Sequence, residues 1–260
     1  MKFFLAPMQG LTGYTVRNAF HHHFDYIDKY YTPFIPAAKR MNAKIKRDID
    51  PVNNDGITLI PQAMSIVADE VIDLHRQLVP YGYDEINVNL GCPSGTVVSK
   101  KRGSGILAYP DMMDSFLDEL YTKADFPVSI KTRVGFNDDE LWPRLIEIYS
   151  KYPISELTVH PRVQKDFYKN TPRMDDFALA MQKINPDKTI LCYNGDITDT
   201  NSFNALTDCF PDIDEIMIGR GLFANPALIA ELKGISMDKA ELRERLKNWH
   251  DEILSGYLSI

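Results

Sequence analysis

Short apolar runs, each followed by an amphipathic stretch, recur along most of the chain. The apolar runs predict eight β-strands, at residues 3–6, 26–31, 59–63, 85–90, 128–132, 156–160, 190–193 and 215–218. The stretches between them predict helices, for example at 67–78 and 141–149, where apolar residues follow helical spacing. Regular alternation of strand and helix indicates a parallel sheet, and eight such units favour a closed α/β TIM barrel, (β/α)8. The alternative is an open doubly wound sheet, whose GxGxxG fingerprint is missing after the first strand.

The chain becomes helical after about Asn225. Leu242, Leu246, Trp249 and Ile253 lie at steps of three or four residues and predict one long helix at 237–256. We therefore expect two domains, a TIM barrel at 1–228 and a short C-terminal helical extension at 229–260.

Composition and charge narrow the function classes. With 260 residues, 44% of them hydrophobic, the chain can bury one large core. It has no apolar run of about 18 residues, so we expect no membrane span. Its first apolar run is too short for a signal peptide, which favours a cytoplasmic enzyme. A net charge of −7 counts against nucleic-acid binding unless basic residues cluster locally.

Cysteine and histidine do not indicate a metal site. Cys92, Cys192 and Cys209 are too few and too scattered for a disulfide framework or a four-ligand zinc site. The three consecutive histidines at 21–23 predict a surface helix, because adjacent side chains on a helix do not converge on one ion. We expect no bound metal.

Polar and reactive residues follow the predicted strands at their C-terminal ends. In a parallel barrel those ends converge on one mouth, where active sites lie. The residues in these positions, in chain order, are Pro7, Met8, Gln9, Gln62, Asn89, Cys92, Lys131, Arg133, His160, Arg162, Asn194, Gly195, Asp196, Gly219 and Arg220. Their repeated placement at strand ends predicts a single site.

Several of these residues suit an anion or an electron-rich ring. Gly195 and Gly219 allow close backbone approach, and Arg220 adds a charged fork, in the loops where barrels bind phosphate. Ordinary turns are the alternative. Lys131 inside a barrel strand needs an anionic or electron-rich partner, either a flavin ring or a carboxylate. Gln62 can offer both a donor and an acceptor to the edge of such a ring.

Cys92 is the sharpest candidate for chemistry. A glycine precedes it and a proline follows it, and the polar, glycine-rich and basic stretch at 94–105 predicts a mobile loop over the mouth. A thiol in that place can donate a proton to carbon. His160 with Arg162 predicts a ligand of the cofactor or of a substrate phosphate, and a hydrogen-bonded structural histidine is the alternative.

Together these segments resemble the tRNA-dihydrouridine synthase (Dus) family. The resemblance is carried by Asn89-Leu90-Gly91-Cys92-Pro93 with Gly103-Ser104-Gly105-Ile106-Leu107, by Ala6-Pro7-Met8 with Thr12 and Arg17, by Lys131, by His160 with Arg162, by Asn194-Gly195-Asp196, and by Met217-Ile218-Gly219-Arg220-Gly221 with Asn225-Pro226. It covers nearly the whole predicted barrel, in order. It implies reduction of the C5–C6 double bond of uridine in tRNA, with FMN as cofactor and NADPH as reductant.

The resemblance also implies roles for single residues. Cys92 would protonate C5 of the uracil once hydride has reached C6, and Asn89 would face the uracil. The flavin would be held by Pro7, Met8, Gln9, Gln62, Lys131, His160, Asn194, Gly195, Asp196, Gly219 and Arg220. Basic residues in 39–47, 100–102 and 162–173, among them Lys100, Arg102 and Arg162, would contact tRNA phosphates, with ordinary solvated surface as the alternative. The extension at 229–260 would be a reduced or truncated form of the family's tRNA-binding domain, and we expect a monomer.

Two other functions fit parts of the pattern. One is a flavin barrel that acts on a free pyrimidine, as dihydroorotate and dihydropyrimidine dehydrogenases do. The basic run at 100–102 and the Asn-x-Gly-Cys-Pro spacing favour the RNA substrate instead. The other is a barrel without catalytic activity that binds RNA or flavin, against which the cysteine at the predicted mouth argues.

Overall fold

The structure is a computed structural model that describes residues 1–37 and 40–258. Lys39, part of one predicted basic cluster, lies outside the described residues. The fold divides into two compact units, and each is described by itself. The first comprises Met1–Pro33, Asn42–Ile60 and Asp196–Ile260, and the second comprises Phe34–Met41 and Pro61–Gly195.

The described residues form short strands and longer helices in alternation. The strands are β1 Lys2–Leu5, β2 Lys29–Tyr31, β3 Ile35–Pro36, β4 Leu59–Ile60, β5 Gln62–Met64, β6 Ile86–Leu90, β7 Val128–Gly135, β8 Glu156–Val163, β9 Ile190–Tyr193 and β10 Glu215–Ile218. The α-helices are α1 Tyr14–His23, α2 Ala43–Ile49, α3 Ala68–Leu78, α4 Gly95–Val98, α5 Pro110–Lys123, α6 Trp142–Tyr149, α7 Met174–Lys183, α8 Thr200–Cys209, α9 Arg220–Ala224, α10 Leu228–Leu232 and α11 Lys239–Leu258. Short 310 helices lie at Pro51–Asn53, Val79–Tyr81, Gly103–Ala108 and Gln164–Asp166.

In the first unit four strands run parallel in the order β10-β1-β2-β4. Helix α11 packs along α1, where the ring of Phe20 meets Trp249 at a centroid distance of 5.3 Å. The two helices come close at Gly256, because a Cβ there would lie 2.2 Å from Thr15 Cγ2. The histidines at the end of α1 face carboxylates, with His22 and His23 both hydrogen-bonded to Glu252 on α11. This places the three histidines on a helix, as predicted.

In the second unit six strands run parallel in the order β3-β5-β6-β7-β8-β9. Strands β6 and β8 are buried along their whole length, and β7 is buried apart from Lys131. Helix α3 turns Val71, Leu74 and Leu78 inward at helical spacing, and all three are fully buried. Continuous burial of the strands is the pattern expected of a parallel sheet covered by helices.

All eight predicted strand segments form strands, and the helices predicted at 67–78, 141–149 and 237–256 are confirmed as α3, α6 and α11. One prediction needs correction, because the run at 59–63 is two strands. Pro61 has no amide hydrogen to donate to a ladder, and it separates β4, which pairs with β2, from β5, which pairs with β6. Strand β3 was not predicted, since two residues leave no periodic signal. The domain boundary at 228 stays a prediction.

No helix within residues 1–37 and 40–258 combines the length and the apolar character that crossing a bilayer requires.

Candidate functional site

Polar residues recur at every second position along β6, β7 and β8 of the second unit, and Gln62 on the neighbouring strand β5 lies in register with Asn87. Side chains two residues apart point to the same side of a strand, so the polar residues share one side of the sheet. This polar face consists of Gln62 on β5, Asn87 and Asn89 on β6, Ser129, Lys131 and Arg133 on β7, and Glu156, Thr158, His160 and Arg162 on β8. The strand register aligns them, with Asn89 opposite Lys131 and Arg133 opposite His160.

Hydrogen bonds between strands hold the first part of the polar face. Gln62 Nε2 donates to Asn87 Oδ1 at 2.8 Å, and Asn87 Nδ2 donates to Ser129 Oγ at 3.0 Å. Gln62 Oε1 accepts from Asn89 Nδ2 at 2.7 Å. Gln62 is fully buried, so both ends of its amide serve to orient asparagines, Asn89 among them. The predicted contact of Gln62 with a flavin stays a prediction.

Asn89 orients the start of the Cys92 loop, which follows β6. Its Oδ1 accepts from the backbone N–H of Gly91 at 3.1 Å and from that of Cys92 at 2.8 Å. Because Gln62 fixes the amide group of Asn89 from the other side, the carbonyl oxygen is aimed at the loop. The predicted contact of Asn89 with uracil therefore has to be made by a side chain that already positions Cys92.

The carbonyls of residues 91, 92 and 93 are each bound by a different side chain. Arg133 Nε donates to Gly91 O at 3.1 Å, Ser104 Oγ donates to Cys92 O at 2.8 Å, and Gln164 Nε2 donates to Pro93 O at 2.8 Å. Together with Asn89 these side chains form what we call the Cys92 frame: Asn89, Ser104, Arg133 and Gln164. Such a frame fixes the position of the thiol-bearing backbone before any ligand arrives.

A glycine is required beside this frame. Gly103 has a φ of +54°, and a Cβ there would lie only 2.7 Å from the Cys92 carbonyl oxygen. Both the left-handed backbone and the close approach favour glycine. The GSGIL motif that begins at Gly103 therefore closes back on the Cys92 loop, and Ser104 supplies one of the frame's hydrogen bonds.

The Cys92 thiol is half-buried and held in its protonated form. Burial raises the pKa of Cys92 above its ordinary value, outweighing the lowering by the Ser94 backbone N–H, by Arg133 and by Lys131. Cysteines that act as nucleophiles at neutral pH have a lowered pKa instead. The site therefore presents a neutral thiol, which suits a proton donor better than a nucleophile.

Within the part of the chain that the structure describes, Lys131 is a cation without an anionic partner. Its Nζ donates to Asn194 Oδ1 at 2.6 Å, an amide oxygen, so the carboxylate partner considered from the sequence is not found among the described residues. Burial, followed by repulsion from Arg133, lowers the pKa of Lys131 to about 8. A partly buried cation whose hydrogen-bond partner is an amide oxygen is suited to an electron-rich ligand.

His160 and Arg162 form a buried pair. Arg162 Nη1 lies 3.0 Å from His160 Nε2, and because a guanidinium can only donate, Nε2 is the acceptor and the proton of the neutral ring is on Nδ1. Arg162 Nε also donates to Asn170 O at 2.5 Å, and Arg162 is 1% exposed. The structure thus places Arg162 under the surface, where it orients His160. Its predicted contact with tRNA phosphate stays a prediction.

The basic stretch after Cys92 is ordered by local contacts. It contains α4 and the 310 helix Gly103–Ala108. Arg102 Nη2 pairs with Glu70 at 3.1 Å, and Ser65 Oγ donates to the same carboxylate. Lys100 is exposed. Of the two predicted phosphate contacts in this stretch, Lys100 thus lies at the surface and Arg102 lies in an ion pair.

The remaining predicted residues lie mostly in the first unit. Arg220 Nη2 pairs with Asp196 Oδ1 at 2.6 Å. A Cβ on Gly219 would lie 3.3 Å from Ala6 Cβ and 3.6 Å from Met8 Sδ, so this glycine allows the chain to pass close to the segment Pro7, Met8 and Gln9. Gly195, in the second unit, leaves room for the Tyr193 hydroxyl, which would lie 2.0 Å from a Cβ.

Three frame residues were given no cofactor or substrate role from the sequence. Ser104 belongs to the GSGIL motif, and Arg133 is predicted at the end of its strand with Lys131, where the period of two places both side chains on one face. Gln164 had no such signal, because its partner carbonyl at Pro93 is 71 residues away.

Comparison with known proteins identifies the family. A family model described as "Dihydrouridine synthase (Dus)" matches residues 4–253. The chain belongs to the dihydrouridine synthase family. Among curated Dus relatives, tRNA-dihydrouridine synthase B of Pasteurella multocida is 26% identical over 243 residues, which is 90% of this chain and 69% of that protein. A probable tRNA-dihydrouridine synthase of Staphylococcus aureus is 34% identical over 154 residues, 58% of this chain and 46% of that protein. The chain thus matches about half the length of some Dus relatives and about two thirds of others.

Solved structures show the fold. Morphinone reductase superposes with a TM-score of 0.60 at 10% identity, covering 93% of this chain and 88% of that one. A variant of NCR from Zymomonas mobilis gives a TM-score of 0.60 at 11% identity, with 95% and 90% covered. The chain has the α/β TIM-barrel fold that the sequence predicts for a Dus protein.

Proposed function

We propose that the protein is an FMN-dependent oxidoreductase that reduces uridine in tRNA to 5,6-dihydrouridine, with NADPH as reductant. Membership of the Dus family supports the reaction, and the names of the relatives support tRNA as substrate. The observation that carries the proposal is the Cys92 thiol, kept protonated by burial and held in place through the backbone of residues 91–93.

The residues fit a flavin. Lys131 supplies a positive charge that no carboxylate neutralises among the described residues, and a cation beside the flavin N1–O2 edge stabilises the reduced ring. We propose Pro7, Met8, Gln9, Gln62 and Lys131 for the flavin ring, and His160, Asn194, Gly195, Asp196, Gly219 and Arg220 for its ribityl phosphate side. The chemistry that a bound FMN would supply is hydride transfer to C6 of the uracil, with NADPH as the source of the reducing equivalents.

Cys92 completes the reduction. The C5–C6 double bond must gain one hydride and one proton. We propose that the Cys92 S–H bond breaks, its proton forms the new C–H bond at C5, and its electron pair stays on sulfur. The resulting thiolate lies near Arg133 and Lys131, both of which favour the charged form of sulfur. A proton from solvent then restores the thiol.

Recognition of tRNA has to overcome the charge of the chain. A uridine within a folded tRNA must leave its stack to reach a half-buried thiol, and a protein with net charge −7 needs local cations to hold the phosphates. We propose that Asn89 faces the uracil and that Lys100, Arg102 and Arg162 contribute to phosphate binding. Arg102 is paired with Glu70 and Arg162 is buried beside His160, so each has to leave these partners to reach a phosphate. We further propose residues 1–228 as the catalytic barrel, 229–260 as a reduced or truncated tRNA-binding extension, and a cytoplasmic monomer.

The substrate can be tested directly. Purified protein, loaded with FMN and supplied with NADPH, is incubated with unmodified tRNA or with free uracil, and the products are resolved by mass spectrometry. We expect uridine in tRNA to gain two hydrogens and free uracil to stay unchanged. Reduction of free uracil with no change in tRNA would replace the proposal with a free-pyrimidine reductase. Flavin binding with neither product would favour a barrel without catalytic activity.

A further inference from the structure

Phe167 combines a strained backbone with an exposed ring. Its φ is +50° and its ψ is −95°, a region that residues with a side chain rarely occupy. The ring is 44% exposed and makes no ring–ring or cation contact within the described residues. Strained backbone residues are enriched at functional sites. An exposed apolar ring on a strained residue is therefore a candidate for ligand binding.

The backbone of Phe167 is tied to the Cys92 frame. Arg133 Nη2 donates to Phe167 O at 2.7 Å, while Nε of the same guanidinium donates to Gly91 O at 3.1 Å. One planar group thus links the carbonyl of Phe167 to that of the residue before Cys92. Phe167 therefore lies at the rim of the candidate site.

Two lysines flank the exposed ring. Lys165 and Lys169 are both exposed, and neither ammonium group has a partner among the described residues. The acidic residue between them, Asp166, has a side chain only 5% exposed and pairs with Arg173. The turn therefore carries an exposed apolar ring with an exposed lysine two residues before it and another two residues after it, on a chain whose net charge is −7.

We propose that the Phe167 ring stacks on an unpaired RNA base that neighbours the uridine delivered to Cys92, with Lys165 and Lys169 at the adjoining phosphates. This inference rests on the proposed reaction on tRNA and names a contact outside the reacting base. An aromatic ring between cations is the usual platform for single-stranded nucleic acid, because every base has a face to stack and a phosphate on each side.

Phe167→Gly and Phe167→Tyr separate stacking from folding. Glycine adopts a positive φ without strain, so Phe167→Gly removes the ring and should leave the melting temperature unchanged or higher. Tyrosine keeps the ring. The probe is a single-stranded oligouridine that carries one 2-aminopurine beside a central uridine, and the same strand paired with its complement is the control. We expect Phe167→Gly to bind the single strand about 5- to 150-fold more weakly, to lose the quenching of 2-aminopurine, and to bind the duplex as before. Phe167→Tyr should behave as the natural protein does.

The lysines are tested by salt dependence. The plot of log affinity against log salt concentration has a negative slope, and Lys165→Gln should make it less steep by about 0.7, the value for one phosphate of a single strand. Lys188→Gln is the matched control. Lys188 is also exposed, but it precedes the N-terminal end of β9, whereas Cys92 follows the C-terminal end of β6. Equal slopes in the two variants would argue against a phosphate at Lys165.

The inference is overturned if Phe167→Gly binds the single strand as tightly as the natural protein, if single strand and duplex weaken equally, or if the natural protein does not bind the single strand. A lowered melting temperature in Phe167→Gly would assign the ring to the fold. Dihydrouridine formation by the natural protein on tRNA is measured in parallel. If the natural protein forms dihydrouridine and Phe167→Gly binds the single strand as tightly as the natural protein does, only this inference fails. If the natural protein forms no dihydrouridine, the proposed function fails.

Discussion

Replacing Arg133 by methionine tests whether the Cys92 frame positions the thiol. Arg133 is 2% exposed, and its guanidinium donates to three backbone carbonyls, those of Gly91, Val163 and Phe167, at 3.1, 2.8 and 2.7 Å. Methionine preserves much of the side chain's volume but removes all three hydrogen bonds. The carbonyls then lose their donor, and the loop before Cys92 loses its anchor to β8.

The size of the effect follows from opposing contributions. Each hydrogen bond from a charged donor contributes about 1.5–3 kcal/mol to stability. The methionine variant no longer has the desolvation penalty of a buried charge, and this gain offsets several kcal/mol of the lost hydrogen bonding. Phe167 and Gly91 are partly open to solvent, so water can replace some of the lost bonding. We expect a net loss of about 2–4 kcal/mol in the free energy of unfolding, or a melting temperature lower by roughly 5–15 °C. Dihydrouridine formation should fall by about tenfold or more, because small displacements of a reacting group are costly.

The assay compares thermal unfolding, flavin absorbance and product formation in three variants. Arg133→Lys keeps the charge, but one ammonium cannot span the three carbonyls that a planar fork reaches, so its losses should be intermediate. Arg144→Met is the control, because Arg144 lies at the surface in an ion pair with Asp111 and its loss should change stability by less than about 0.5 kcal/mol. If Arg133→Met has the same melting temperature as Arg144→Met and keeps full activity, Arg133 does not hold the Cys92 loop in place.

Two further predictions concern titration. Burial raises the pKa of Cys92, so in a Cys209→Ala background the rate of alkylation by iodoacetamide should rise with pH and inflect above the value of free cysteine, about 8.5; an inflection at or below that value would show a thiolate at neutral pH. Burial, and then the charge of Asp139, raise the pKa of Asp176 to about 7, so the folded protein binds more protons here than the unfolded chain between about pH 4 and pH 7. The stability of the folded protein therefore falls as pH rises through that range, because the buried carboxyl is deprotonated. The melting temperature of Asp176→Asn, relative to that of the natural protein, should be higher at about pH 8 than at about pH 5. The same difference in melting temperature at both pH values would contradict this.

The sequence predicts the fold well because its signal is local. Each apolar run is long enough to show a period or a composition, so the strands before and after α3 and α6 are found from the sequence. Strand β3 and the break at Pro61 depend on pairing with distant segments, which periodicity does not report.

The candidate site is only partly readable in the same way. Cys92, Lys131 and His160 stand out by residue type at strand ends, and the alternation Ser129, Lys131, Arg133 along β7 already marks one polar face. The sequence does not show which side chains form hydrogen bonds with which backbone groups. The contacts from Arg133 to Gly91 and from Gln164 to Pro93 span 42 and 71 residues, and they depend on where the loops run after the barrel has formed.

The most direct test of the account compares the natural protein with Cys92→Ala, using Cys209→Ala as a control for loss of an exposed thiol. Each protein is loaded with FMN, its flavin absorbance is recorded, and dihydrouridine in tRNA is measured by nucleoside mass spectrometry after incubation with NADPH. We predict that all three bind flavin and that only Cys92→Ala fails to form dihydrouridine. Undiminished dihydrouridine formation by Cys92→Ala would contradict the role of the thiol as proton donor.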